Sequence, residues 1–211
     1  FIATSLAILF TFAIIYLITV RLFNVDFIKD SFGLLRESFI QANNLSEQVN
    51  GQVVIPKDQL DLTLNMLNAI IPASITISVA LFALVIISIN LPLLKRFKII
   101  VPKFSQFKSM RLPKAVLWYY LIVLTITMFI NPAVGTPLYV IILNFSLILW
   151  VLLTLQGVSF IYFVIDEKEL PKFLKVLTAF FSIPFYSIIL LVGVFDLGFN
   201  IRQMIVGKKD K

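Results

Sequence analysis

The 211-residue chain has no cysteine and no histidine. The first absence removes disulfide frameworks and thiolate chemistry. The second removes the usual zinc ligand and the commonest general base. Charged residues are scarce too, at 14% against about 25% in ordinary soluble domains. No Walker-type glycine loop, H-E-x-x-H or G-x-S-x-G motif occurs, and no two carboxylates lie close together within an apolar run. These absences point away from an enzyme, and no metal or cofactor is expected.

What is present is apolar. Hydrophobic residues make up 60% of the chain and mean hydropathy is +1.00. A chain this short cannot bury that excess in one water-soluble core. The sequence therefore reads as an all-α, polytopic membrane protein. Five hydrophobic segments are expected. The run from Phe1 to Val20 carries no charge, and a second extends from about Ile70 to Leu94. Ala115 to Ile165 is also charge-free, long enough for two spans divided at NPAVGTP (131–137). The fifth, Phe173 to about Phe195, holds Pro184, which should kink it or turn it back. Because Phe1 opens in mid-run without an initiator Met, residues 1–211 are read as a single membrane domain, a fragment lacking upstream spans.

Residues 24–69 are different in kind, with six acids against three bases. Val25, Ile28, Phe32, Leu35, Phe39 and Ala42 recur at steps of three and four, one stripe of an amphipathic helix. NNLSEQVNGQ follows as a loop signal with Asn50-Gly51 as its turn, and a helix restarts with Pro56 in its first turn. In contrast, 95–114 carries Lys95, Arg96, Lys98, Lys103, Lys108, Arg111 and Lys114 and no acid. Basic residues near span ends stay inside. The loop at 95–114 is therefore expected to be cytoplasmic, and the insert at 24–69 extracytoplasmic. Contact with anionic lipid headgroups, at about 1 kcal/mol per cation, is the plainest role of this loop. Docking of an acidic membrane or cytoplasmic protein is the sharper one. Nucleic acid is not an expected partner, since any such protein faces the cytoplasm with a basic loop.

Within the apolar runs the polar residues draw notice. Span amides and hydroxyls commonly hydrogen-bond between helices. The alternative is a small-solute pocket using Asn144 and Gln156 with Trp150 and Phe160 as aromatic neighbours. Near the end of the last run, GVFDLGFNIRQM (193–204) holds Asp196 and Arg202. An ion at the bilayer centre costs about 2.5–3.5 kcal/mol on insertion scales, so the plain reading sets Asp196 at the interface. The sharper reading makes it a structural or gating partner of Arg202. Positions 196 and 202 do not stack on a helix, whereas 196 and 200 do. A direct bridge therefore needs a turn, which Gly193 and Gly198 would permit.

Two stretches carry a family resemblance. SQFKSMRLPKAVLWYYLI (105–122) enters a span through a basic loop, Leu-Pro and Trp. LQGVSFIYFVIDEKELPKFLKVL and LLVGVFDLGFNIRQ (within 155–203) pair a Gln-Gly span with a Gly-x-x-Asp-x-x-x-x-x-Arg ending. From Lys95 to Arg202 the chain resembles the YybS-like multi-spanning membrane proteins of Gram-positive bacteria, a domain of unknown function. Arg111, Pro113, Trp118, Gly157, Gly193, Asp196 and Arg202 are the most specific residues. That family is distantly similar to the S components of energy-coupling-factor transporters. The resemblance implies a non-enzymatic subunit that captures a solute, with energy supplied by partners docked near 95–114. The insert at 24–69 departs from compact S components. The other reading is a membrane scaffold or regulator that acts through the basic loop alone.

Overall fold

The computed structural model describes residues 2–50, 56–97 and 106–206, and among these every regular element is a helix. In chain order they are α1 (Ile2–Phe23), α2 (Phe27–Asn50), α3 (Lys57–Ala69), α4 (Ile71–Arg96), a single 3-10 turn (Phe107–Ser109), α5 (Ala115–Phe129), α6 (Pro137–Glu167), α7 (Phe173–Phe181), α8 (Tyr186–Phe199) and α9 (Ile201–Val206). The apolar runs thus became helices, as expected. Three of them, α1, α4 and α6, are long and apolar enough to cross a membrane. None of the most apolar stretch of α1 is buried by protein, so its side chains need a non-aqueous solvent. At 15 residues, α5 is about 22 Å long, short of the ~30 Å hydrocarbon core.

One sequence expectation is sharpened and another changes. The fifth segment breaks at Pro184, one of its two expected forms: α7 and α8 meet at 112° across a break that contains this proline. The missing proline N–H and the extended conformation favoured just before it end α7 rather than bend it. The supposed loop NNLSEQVN is the last two turns of α2, which runs to Asn50. Half-buried Asn43 and Ser46 continue the face begun by Ile28, Phe32 and Phe39, whereas Leu35 and Ala42 are exposed. The helix restarts where expected, with Pro56 as the N-cap of α3, and the Gly51 half of the expected turn lies outside the described residues.

The backbone divides into two compact units. The first comprises Phe1–Val101 and Pro132–Asn144. Within it α1 packs on α4, α2 on α3, and α3 on α4. Among the described residues its buried apolar side chains are Ala73, Val79 and Ala83 of α4, Leu60 and Leu64 of α3, and Ile142 of α6. The turn from α1 into α2 is fixed by Asp26, whose Oδ1 accepts from the Lys29 N–H at 3.0 Å and the Tyr16 hydroxyl at 3.1 Å. The first bond caps α2, and it is the leading cause that holds the Asp26 carboxyl below the usual carboxylate range. Arg36 and Asp61 bridge α2 and α3 at 2.8 Å, an exposed pair worth at most about 1 kcal/mol.

The second unit comprises Pro102–Asn131 and Phe145–Lys211. Val116, Leu149, Leu153, Leu190 and Leu197 form its apolar core, drawn from α5, α6 and α8.

Candidate functional site

In the second unit α6 and α8 approach backbone to backbone. A Cβ on Gly157 would stand 2.0 Å from the Ile189 carbonyl oxygen, and one on Gly193 would stand 2.1 Å from that of Leu153. Only glycine fits at either point, and small residues are what let helices close on one another in lipid. The close crossing brings the polar face of α6 against α8 and the segment that follows it.

Four polar side chains meet there, all buried: Gln156, Ser159, Asp196 and Arg202. Asp196 has no solvent exposure, and Arg202 has 8%. Asp196 Oδ2 accepts from Gln156 Nε2 at 2.6 Å and from Arg202 Nε at 2.9 Å. Arg202 also donates to the Lys108 carbonyl at 2.6 Å and to Ser159 Oγ at 3.2 Å. The Arg202 guanidinium lies 5.4 Å from the Phe163 ring centre and 5.9 Å from that of Phe160, within cation–π range. Of the two readings of Asp196, the structure shows the pairing with Arg202. The carboxylate is inside the protein, paired with Arg202, because desolvated charge is tolerated only when paired and hydrogen-bonded. The turn that allows the bridge is not at a glycine. Gly193 and Gly198 remain helical, and the chain turns at Asn200, which adopts the left-handed conformation at φ 50°. Asparagine tolerates that region better than other non-glycine residues. Its side-chain oxygen accepts from Arg111 rather than stacking on Asp196.

The network's other function is to hold a backbone. The single Ser159 hydroxyl proton is shared between the carbonyls of Phe107 at 2.7 Å and Met110 at 3.0 Å, and the Leu112 N–H donates to Gln156 Oε1 at 2.9 Å. With the Arg202–Lys108 bond, three buried side chains hold residues 107–112. Outside this core Lys108 bridges Asp166 at 3.0 Å, and Lys175 bridges the other oxygen of the same carboxylate. Tyr162 donates to the Lys175 carbonyl at 2.8 Å and packs edge-on against Phe107 at 5.5 Å. Two clefts flank the Lys108–Asp166 bridge. One, of about 430 Å3, includes Arg111, Phe163 and Arg202. The other, of about 590 Å3, includes Tyr162, Lys172 and Lys175.

The four residues expected to line a solute pocket are not collected into one. Gln156 is spent on Leu112 and Asp196. Phe160 faces Arg202, and Trp150, 42% exposed, pairs with Tyr186 at 6.1 Å. Asn144 belongs to the first unit, where Pro72 and Ile70 interrupt the helix. Its Oδ1 accepts from the Ala73 N–H, and its Nδ2 donates to the carbonyls of Ala69 and Val140, each at 2.7 Å. One side-chain amide thus replaces the Ala73-to-Ala69 bond of a continuous helix, and both its N–H donors are used. Of the basic residues, Lys95 and Arg96 close α4 in the first unit, while Lys108, Arg111 and Lys114 lie in the second. Lys98 and Lys103 lie outside the described residues. Tyr162, Asp166 and Lys175 were missed as site residues, whereas Ser159 is one of the span hydroxyls expected to hydrogen-bond between segments. The spacing Gln156, Ser159, Phe163 places it on one face of α6. Among the described residues no acidic cluster could hold a metal ion.

The first unit has its own groove, of about 540 Å3, lined by residues that include Tyr16, Asp26, Lys29, Arg36, Asp61 and Asn65.

Comparison with known proteins agrees with the membrane reading. The family described as "Predicted membrane protein (DUF2232)" matches residues 1–197. That range takes in the insert at 24–69 as well as most of the stretch on which the resemblance was drawn. The uncharacterized protein YybS of Bacillus subtilis (strain 168) is 28% identical over 195 residues, which are 90% of this chain and 63% of that protein. The chain thus spans a little under two thirds of this relative's length. No solved structure matches. With almost the whole chain matched and its helices exposing apolar surface along their length, the protein belongs to the DUF2232 family of predicted membrane proteins.

Proposed function

We propose that this multi-spanning membrane protein is a non-enzymatic scaffold or regulator of the bacterial plasma membrane. It docks an acidic protein on the cytoplasmic side through the basic segment at 95–114. The observation that carries the reading is the tethering of residues 107–112 by Gln156, Ser159 and Arg202. Buried polar groups are costly to assemble, and these are arranged to fix a surface segment bearing Lys108, Arg111 and Lys114. A fixed set of charges loses less side-chain and backbone entropy when a partner binds than a floppy one. A photo-crosslinking residue at Ser109 tests this in native membranes. A discrete protein adduct that is lost in the Arg111→Gln/Lys114→Gln variant, and kept in Lys29→Gln/Arg36→Gln, supports docking. No adduct, or one indifferent to those charges, ends the proposal.

A second reading, solute capture in the manner of S components, is favoured by the charged groove of the first unit. Capture there would not use Asn144 or Gln156, whose amides are committed to backbone and to Asp196. Small molecules that co-purify and raise the unfolding temperature of the native chain, but not of Asp61→Asn, would support it. Equal behaviour of the two chains would remove it.

A further inference from the structure

We propose that the cleft of about 590 Å3 between Lys108, Tyr162, Lys172 and Lys175 binds a phosphate group, carried by a lipid headgroup or by a small soluble ester. The cleft holds three ammonium groups around one carboxylate, Asp166. That carboxylate is already shared, one oxygen to Lys108 at 3.0 Å and the other to Lys175. Each ammonium has three N–H donors, so both lysines keep donors to spare. The Lys172 ammonium makes no ion pair among the described residues. Subtracting one negative from three positive charges leaves a surplus of two at the cleft, which suits a multiply charged oxyanion rather than a neutral solute.

The site is built rather than incidental. Asp166 holds two of the cations in place, and Tyr162 fixes the Lys175 backbone at 2.8 Å while its ring lies 5.8 Å from the Lys175 ammonium. The Phe107 ring packs edge-on against Tyr162. The cleft also lies where the apolar run of α6 ends, between Ile165 and Glu167. That is the level at which headgroup phosphates are met. This inference shares only Lys108 with the docking proposal, and its test rests on Lys172 and Lys175, which belong to the turn before α7 and its first residues, outside 95–114.

The test uses the purified full chain in nanodiscs, followed by thermal unfolding. One arm adds glycerol 3-phosphate to phosphatidylcholine discs, with sodium chloride at matched ionic strength as control. The other replaces phosphatidylcholine by phosphatidylglycerol without added ester. The proposal expects the midpoint to rise in at least one arm, and which arm responds identifies the source of the phosphate. Lys172→Gln, which removes no internal ion pair, should weaken the response about five-fold. Lys172→Gln/Lys175→Gln should abolish it, while Lys29→Gln in the other unit responds as the native chain does. No rise beyond the salt control in either arm overturns the inference, and so does an undiminished response in the double variant.

Discussion

Replacing Arg202 by Met and Asp196 by Asn, singly and together, puts a number on the buried pair. The two ions are 2.9 Å apart at side-chain exposures of 10% and 0%. Removing one partner of such a pair costs about 3–5 kcal/mol, because the other charge is left in a poorly solvating interior. The geometry makes the two losses unequal. With Asp196→Asn, Arg202 keeps the Lys108 carbonyl, Ser159 Oγ and two aromatic faces, so the lower end, about 3 kcal/mol, is expected. With Arg202→Met, Asp196 keeps only the Gln156 amide on Oδ2 among the described residues, where its Oδ1 has no partner to begin with. The upper end, about 5 kcal/mol, is expected there. The double variant buries no lone charge and should fall at least about 2 kcal/mol short of the sum of the singles. Equilibrium unfolding in mixed micelles, read by helical circular dichroism, gives all four stabilities. Additive losses, or an Arg202→Met variant no weaker than Asp196→Asn, would refute the reasoning.

Other expected outcomes follow from single contacts. Gly193→Ala places a carbon 2.1 Å from the Leu153 oxygen. It should destabilise by about 1–3 kcal/mol through overpacking, whereas Gly33→Ala, with open space around it, should not, and unfolding midpoints compare the two. Asn144→Ala leaves the Ala73 N–H and the Ala69 carbonyl without their partner. It should cost about 1–3 kcal/mol in the same unfolding assay while the Asp196–Arg202 coupling stays unchanged. Asp26 has its carboxyl held below the ordinary range by the Lys29 N–H. Its stabilisation is therefore full above the unfolded value and lost as pH falls through the lower, folded one. Stability should drop on acidification below about pH 4, and Asp26→Asn, which still caps the helix, should flatten part of that drop.

The helices were legible because lipid leaves a one-dimensional mark: a long run without charge becomes a span. The insert was legible where apolar residues recur, at Ile28, Phe32 and Phe39, and was misread where its half-buried face turns polar, at Asn43 and Ser46. Asp196 and Arg202 were singled out as an anomaly in an apolar run. Their pairing depended on a left-handed turn at Asn200, which no local composition announced as strongly as the neighbouring glycines did. The pocket residues failed for a different reason. Whether Asn144 and Gln156 are free to bind a solute depends on backbone groups 71 and 44 residues away, and periodicity along one helix contains no information on such partners. The two helix-crossing glycines were named in the resemblance, but only the built backbone gives them a steric reason.

The claim on which the account rests is that buried side chains hold residues 107–112 against α6 and the α8–α9 turn. Hydrogen exchange of the native chain and of Arg202→Met, measured at the Leu112 amide and over 106–114, tests it directly. The account predicts a protected Leu112 amide in the native chain. In the variant it predicts exchange at least about ten-fold faster across this segment, with α4 of the other unit unchanged. An amide at 112 that already exchanges freely in the native chain, or a segment indifferent to the loss of Arg202, would contradict it.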